Sequence, residues 1–315
     1  MIAQFDLSNP NNEVIKQKFP ISHSAYQKHE TCGFQYDLYY NKRIEKQFVS
    51  STMLAGKVFD AVFNKYMESM WYQNNFNLPQ YFEQMWQEKF ISKPRESKTD
   101  DLETYETLKH VCKSIPNSFN ASGLIPLSTV DKKPCIQHKH TFDIGYGVLV
   151  RVIIDFIAWS KILKKPVVID VKCSAPSALA KSGFASISEQ LLVYSLACEA
   201  DPRLEFNKFD YGAFWQAERK KMPALKKDLS LRKGATYPKI ILPETERFNE
   251  FHKQQMPHRY IQKQIDINQG RFFAGSRMSF NSPCGMCDYS GLCMNGDKTG
   301  LVIRENYQPR KQNVA

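Results

Sequence analysis

The sequence has no long uncharged apolar run. A membrane-spanning helix needs about 20 apolar residues, whereas the most apolar stretch, VLVRVIIDFIAW at 148–159, is interrupted by Arg151 and Asp155. The first residues, MIAQFDLSNPNNEV, lack the basic and apolar regions of a signal peptide. We therefore expect a cytoplasmic protein that does not bind membranes.

The sequence also lacks internal repeats, low-complexity tracts and a G-x4-G-K-[ST] nucleotide-binding loop, so any helicase motor would have to belong to a partner. Acidic residues are scarce relative to basic ones: 32 Asp and Glu face 43 Lys and Arg, giving a net charge of +11. This excess favours an anionic partner such as nucleic acid. Residues 218–233, ERKKMPALKKDLSLRK, are the most concentrated basic run and a candidate phosphate-binding segment.

Eight cysteines in a chain without a secretion signal indicate free thiols or metal and cluster ligands before disulfides. Three of them, Cys284, Cys287 and Cys293, form a C-x2-C-x5-C pattern. Three thiolates do not close a four-coordinate site, and Cys32 is the obvious source of a fourth. The remaining four are expected to be small buried apolar residues: Cys112, Cys135, Cys173 and Cys198.

Hydrophobic periodicity changes along the chain. Helical spacing predominates up to about residue 118, and then β-rich segments alternate with one helix before a last helix after Pro243. We expect a mixed sheet flanked by helices. The predicted divisions are an arm (1–20), a helical part (21–118), an α/β core (119–240), a C-terminal helix with a cysteine cap (241–297) and a polar tail (298–315).

The segment VVIDVK at 167–172 places an acid and a base on one face of a strand. Because side chains alternate between faces, Asp170 and Lys172 point to one side while Ile169 and Val171 point to the other. An ion pair where the strand reaches the surface would explain this pattern. Asp155, on the preceding predicted strand, is a second carboxylate in an apolar setting, where it needs a partner or a cation.

The pattern D-x14-D-x-K formed by Asp155, Asp170 and Lys172 resembles the PD-(D/E)XK nuclease superfamily. Gln190 and Tyr194 match the Q-x3-Y motif of its RecB-like branch, in the helix after the active strand. The resemblance implies a restriction-endonuclease-like α/β fold. It also implies that Asp155, Asp170 and the Val171 carbonyl bind Mg²⁺ or Mn²⁺, that Lys172 positions or activates water, and that Gln190 and Tyr194 order the site.

The helix LAGKVFDAVFNKY resembles the G-x3-H helix that supplies a histidine to the metal in this branch, but Asp60 occupies that position, counted from Gly56. An acid can ligate Mg²⁺ or Mn²⁺ as well. The alternative is an exposed acid on an amphipathic helix. Asp60 is therefore a candidate ligand with two open interpretations.

One upstream cysteine and three downstream ones, flanking the D-x14-D-x-K core, resemble the iron–sulfur nucleases that include AddB and the CRISPR-adaptation exonucleases. The resemblance implies that Cys32, Cys284, Cys287 and Cys293 bind a [4Fe–4S] cluster that joins the two ends of the domain. Structural Zn²⁺ bound by Cys284, Cys287, Cys293 and either Cys32 or His29 is the alternative.

The function that follows is a metal-dependent DNA exonuclease acting on DNA ends or single strands in recombination, repair or phage replication, in a bacterial or phage-infected cell. A helicase or recombinase is a candidate partner. Two alternatives remain: a DNA-binding or assembly subunit that keeps the fold without competent chemistry, which the Asp60 substitution keeps open, and a nuclease acting on RNA.

Overall fold

A computed structural model gives the fold of the chain and describes residues 19–94, 101–176, 181–227, 230–275 and 283–304. Most of the predicted arm, most of the polar linker at 92–101 and the end of the predicted tail lie outside the described residues. The α-helices are α1 (His23–Thr31), α2 (Gly33–Tyr36), α3 (Ser51–Tyr72), α4 (Leu78–Met85), α5 (Asp101–Lys113), α6 (Ile115–Ser122), α7 (Phe184–Ile187), α8 (Glu189–Glu199), α9 (Glu250–Asn268) and α10 (Ser290–Asn295). Wider π-helical turns follow α2 and α4, at Asp37–Asn41 and Trp86–Ile91, and a short 3₁₀ helix spans Pro283–Met286.

The described strands form one large mixed sheet and one small antiparallel sheet. They are β1 (Ile21–Ser22), β2 (Ile44–Lys46), β3 (Leu124–Pro126), β4 (Ile136–Asp143), β5 (Leu149–Ser160), β6 (Lys165–Ser174), β7 (Tyr211–Glu218), β8 (Ile240–Ile241), β9 (Glu246–Arg247) and β10 (Leu301–Ile303). The large sheet runs β1-β5-β6-β7-β8, with β3 and β4 also on β5 and β9 on β7. β6 and β7 are parallel, and α8 lies in the connection between them, as a parallel crossover requires.

Helices cover both faces of the large sheet. On one face, α3 to α6 pack against residues such as Phe156, Val167 and Trp215. On the other face, α1, α8 and α9 pack against residues such as Val152 and Val168. The mixed sheet between two helical layers, with a helical N-terminal part, confirms the predicted fold class.

β5 contributes to both cores because its alternation changes at Asp155. Val152 and Ile154 face the α8 and α9 layer, whereas Phe156 and Ala158 face the α3 layer. Opposite Asp155 in the β4–β5 register lies Gln137, whose φ of 49° is in the left-handed region that a non-glycine residue rarely adopts. This local irregularity turns Asp155 out of the regular pleat.

Local sequence explains where the first helices begin and end. Ser22 caps α1 by accepting a hydrogen bond from the Ala25 amide at 3.2 Å. The sequence predicts a break at Gly33, but α1 ends one residue earlier, where Cys32 is extended with φ −166°. Gly33 then begins α2, and a Cβ at this position would lie 2.9 Å from the backbone of Phe272.

The N-terminal and C-terminal parts of the described chain are joined by the small sheet. β10 pairs antiparallel with β2, with Val302 opposite Glu45. The segment predicted as a polar tail therefore contains a paired strand. Among the described helices, none has the length and hydropathy needed to cross a membrane.

Candidate active site

Asp155 lies where β5 and β6 separate. The two strands are paired from Ser160–Lys165 to Phe156–Ile169. At the next residue of β5, the Asp155 carboxylate takes the place of the backbone pairing between the strands. Its Oδ2 accepts a hydrogen bond from the Val171 amide at 2.9 Å, and its Oδ1 accepts one from Gln137 Nε2 at 3.1 Å. A half-buried carboxylate is thus held at the fork by hydrogen bonds from two strands.

Asp170 and Lys172 lie on the same face of β6, as strand alternation predicts. Lys172 Nζ donates to Asp170 Oδ1 at 3.0 Å and lies 2.8 Å from Oδ2. The ion pair exists, but it is not a surface pair, because the Asp170 side chain is fully buried while that of Lys172 is 43% exposed. Burial raises the pKa of Asp170; the Lys172 ammonium opposes this rise and the charge of Asp155 adds to it.

A chain of side-chain hydrogen bonds connects Lys172 to α8. Lys172 Nζ donates to Gln190 Oε1 at 3.2 Å, and Gln190 Nε2 donates to the Tyr194 hydroxyl at 2.8 Å. Positions i and i+4 share one face of a helix, which is why both side chains reach the same edge of the sheet. Burial, followed by the charges of Asp170 and Asp155, raises the pKa of Tyr194, so its hydroxyl stays protonated.

Asp60 approaches the same group of charges from α3. It is half-buried and accepts a hydrogen bond from Asn64 Nδ2 at 2.9 Å. Burial and then the charge of Asp155 raise the pKa of Asp60 to about 6. The alternative of an exposed acid is therefore wrong, and Asp60, Asp155, Asp170 and Lys172 together define the carboxylate site.

The donor types of the carboxylate site suit a hard divalent cation. Three carboxylates share the site with one ammonium, and the raised pKa values of Asp60 and Asp170 reflect burial together with the negative charge of Asp155. Oxygen ligands are those that Mg²⁺ and Mn²⁺ prefer. Within the described ranges, no three His, Cys, Asp or Glu side chains form a group that could hold a metal ion. Instead, Asp155 and Asp170 accept the hydrogen bonds of Gln137, Val171 and Lys172.

Three polar residues around the carboxylate site were missed by sequence reasoning. Gln137 could have been found from the β4–β5 hairpin register, and Asn64 from its i+4 spacing to Asp60. His23 had no sequence signal: its Nδ1 lies 2.8 Å from the Tyr260 hydroxyl, contributed by α9. Burial and then the charge of Lys172 lower the pKa of His23 to about 4, so this ring is neutral.

A separate cavity contains the cysteines of the sequence pattern. Cys32, Cys284, Cys287 and Cys293 all line it, together with apolar residues such as Phe34 and Met294. Residues some 250 positions apart in the chain thus meet in one place. We call this site the cysteine cavity.

Several hydrogen-bond donors approach the sulfur atoms of the cysteine cavity. Gln35 Nε2 donates to Cys287 Sγ at 2.8 Å, and the Gly275 amide donates to Cys32 Sγ at 3.3 Å. His29, the alternative zinc ligand, does not line the cavity; its ring is buried and makes edge contacts with Tyr36 and Phe272. Among the described residues, the thiols of this cavity also do not form a group that could hold a metal ion.

The basic run at 218–233 is less available than its composition implies. Lys220 pairs with Glu218 at 3.2 Å, and Lys221 pairs with Glu103 at 2.9 Å. These acids neutralise part of the charge that sequence reasoning assigned to phosphate binding.

The fold and the carboxylate site, with acids on two adjacent strands and a lysine two residues beyond the second acid, indicate a class of hydrolase. The family model of the PD-(D/E)XK nuclease superfamily matches residues 20–294. The chain belongs to this superfamily, whose nucleases generally use divalent metal ions. A comparison with curated proteins finds no significant match.

Proposed function

We propose that this protein is a Mg²⁺- or Mn²⁺-dependent deoxyribonuclease of the RecB-like branch, an exonuclease that hydrolyses phosphodiester bonds at DNA ends or in single strands. The observation that carries the proposal is the contact of Lys172 Nζ with both Asp170 and Gln190, beside Asp155 at the strand fork. Superfamily membership supports the reaction class.

In this proposal Asp155, Asp170 and Asp60 are the metal ligands, together with the Val171 carbonyl. A bound divalent ion supplies Lewis acidity at the phosphoryl oxygen and lowers the pKa of the attacking water. The buried position of Asp170 supports a ligand role, because a carboxylate removed from water gains most from a cation.

Lys172 is the residue that we propose positions or activates the attacking water. Its ammonium is fixed by Asp170 and Gln190, yet 43% of its side chain is exposed, so the residue lies at the border between the buried carboxylate and solvent. Gln190 and Tyr194 are positioning residues: their hydrogen bonds restrict Lys172 to one orientation. Pre-organisation of this kind lowers the reorganisation needed during reaction.

We also propose that the cysteine cavity binds a [4Fe–4S] cluster. The presence of four cysteines around one apolar cavity supports this assignment. Zn²⁺ bound by the same four cysteines is the alternative.

The wider setting is part of the same proposal. We place the activity in recombination, repair or phage replication in the cytoplasm of a bacterial or phage-infected cell, with a helicase or recombinase as partner. We treat 21–297 as a single nuclease domain, which the family match over 20–294 supports.

A non-catalytic DNA-binding subunit is the second candidate, because Asp60 occupies the position of a family histidine. Cleavage by the wild type distinguishes the two candidates, and substitution of Asp60 tests whether this residue is a ligand. If Asp60 is a ligand, Asp60→Ala reduces metal-dependent cleavage by about 10²-fold, whereas Asp60→His, which restores the family residue, retains cleavage. Identical cleavage by the wild type and both Asp60 variants would remove Asp60 from the ligand set.

The central test is an anaerobic purification followed by absorption spectroscopy, iron and zinc analysis, and nuclease assays on the same sample. Labelled single-stranded and duplex DNA and matched RNA are incubated with Mg²⁺, Mn²⁺ or EDTA. We expect metal-dependent release of nucleotides from DNA, and no release by Lys172→Ala. Absence of cleavage with every metal and polymer would favour the non-catalytic subunit.

A further inference from the structure

A second polar cleft lies on the β4 edge of the large sheet, outside the carboxylate site. Its lining residues are Lys139, His140, Thr141, Arg151 and Arg203. Thr141 lies directly opposite Arg151 in the β4–β5 register. Because opposite residues point to the same face and residues two apart in a strand do as well, Lys139, Thr141 and Arg151 share one face. We call this site the edge-strand cleft.

Two cations of the cleft have no acidic partner within ion-pair distance in the described part of the chain. Arg203 is compensated: its Nε and Nη2 lie 2.9 and 2.6 Å from the two oxygens of Asp201, whose side chain is fully buried. Lys139 and Arg151, in contrast, form no ion pair among the described residues. The cleft therefore has about two surplus positive charges at neutral pH.

The ion pair between Arg203 and Asp201 fixes the geometry of the edge-strand cleft. Arg203 Nη2 also donates to the Lys139 carbonyl at 2.8 Å, which ties the loop after α8 to the free edge of β4. His138 Nε2 lies 2.7 Å from Asp201 Oδ2, so the same buried carboxylate anchors the strand from its side chain. Lys139 is thus presented from a fixed backbone, which reduces the entropy lost on binding an anion.

The cleft is aligned with the carboxylate site through β5. Arg151 precedes Asp155 by four residues, a distance along the strand of about 13 Å, which is the axial length of roughly four nucleotides of a duplex strand. The face between them is open, since Ile153, which lies between Arg151 and Asp155, is 39% exposed. A strand whose phosphate is at Asp155 would pass over this face.

We infer that the edge-strand cleft is a DNA-backbone subsite, in which Lys139 and Arg151, with the Thr141 hydroxyl, bind a phosphate a few nucleotides from the bond cleaved at the carboxylate site. This inference rests on the proposed function, because the path of the strand is defined from Asp155. Phosphate contacts of this kind position a strand without selecting its sequence.

The test is the salt dependence of binding of labelled single-stranded DNA, measured by fluorescence anisotropy in EDTA so that no strand is cleaved. The double variant Lys139→Ala with Arg151→Ala is compared with Lys161→Ala with Lys165→Ala. The control removes two exposed lysines from the opposite end of the β5–β6 hairpin, so both proteins lose the same charge. Lys139→Arg with Arg151→Lys keeps the charge in the cleft.

On single-stranded DNA, loss of two phosphate contacts should make the slope of log K against log salt shallower by about 1.4. We expect this change in the cleft double variant alone, with wild-type slopes in the control and in the charge-preserving variant. Equal slopes in the two alanine doubles, or a wild-type chain that binds no DNA, would overturn the inference. If the slopes differ as expected but no metal supports cleavage, the proposed nuclease function fails, and the cleft stands only as a site that binds the DNA backbone.

Discussion

The carboxylate site and the cysteine cavity differ in how their residues are held. The carboxylate site is built on β5, β6, α3 and α8, and its side chains satisfy one another through hydrogen bonds. The cysteine cavity is built from the ends of short helices and from loops, where Cys32 and Cys287 accept hydrogen bonds from Gly275 and Gln35. The first site is organised by its own hydrogen bonds, whereas under the proposed function a bound group would join the separate segments of the second.

Because of this difference, we expect substitutions in the carboxylate site to affect catalysis and substitutions in the cysteine cavity to affect stability. A site on paired strands tolerates the loss of one carboxylate with its backbone intact, so its variants should lose activity and keep their fold. A site that joins distant segments contributes to folding itself, because the unfolded chain cannot assemble it. The four predictions below test that separation, from the largest expected effect to the smallest.

Asp170→Asn should give the largest functional loss. It keeps the volume of the side chain but removes the charge, and we expect cleavage of labelled DNA to fall by about 10³-fold, or roughly 4 kcal/mol. Thermal unfolding and any visible absorption of the cysteine cavity should remain unchanged. Glu205→Gln, at an exposed acid, is the control. Comparable cleavage by Asp170→Asn and the control would remove Asp170 from the active site.

Cys284→Ser should show the opposite pattern, with a loss of bound metal and of stability. Loss of one ligand should release the bound iron or zinc, as seen by metal analysis and absorption, and should lower Tm by about 5 °C, corresponding to roughly 3 kcal/mol. Cys173→Ala, at a half-buried cysteine of β6 outside the cavity, should keep its metal. A Cys284→Ser protein with the metal content and Tm of the wild type would contradict the cluster proposal.

His23→Gln should reduce the acid sensitivity of the fold. Burial lowers the pKa of His23 to about 4, below its ordinary value of 6.5, so between these values the unfolded chain binds more protons than the folded one. Stability therefore falls as the pH decreases from about 6.5 to 4, by up to about 3 kcal/mol. The variant should lose less stability than the wild type between pH 7 and 5 in denaturant titrations. Parallel curves would exclude a buried neutral His23.

Tyr194→Phe should have the smallest effect. It removes the acceptor of the Gln190 Nε2 hydrogen bond, which is worth about 1 kcal/mol, and so loosens the orientation of Lys172. We expect kcat for DNA cleavage to fall about fivefold, with little change in KM. Tyr194→Phe in a Lys172→Arg background should add no further loss if Tyr194 acts only through Lys172; an additive loss would show that Tyr194 acts independently.

Much of the fold could be predicted because its signals are local. The alternation of VVIDVK predicts that Asp170 and Lys172 share a face, and the i, i+4 spacing of Gln190 and Tyr194 predicts that they act together. The predicted strand boundaries are close to the observed ones for the same reason: β4 and β5 flank the turn at Gly145–Gly147, as the sequence indicates. Helical spacing could not predict the extended Cys32, because that conformation depends on Phe272 and the packing around Gly33.

The sequence by itself determined the two acids, the lysine and the cysteine pattern, since residue type and spacing are properties of the chain alone. Only the tertiary structure decided which charges remain uncompensated. Lys220 and Lys221, from the most basic run, are paired with acids, whereas Lys139 and Arg151, dispersed in the sequence, face an open cleft together. The reason is physical: the effective charge of a side chain depends on the ions within a few ångströms, and folding alone sets those distances.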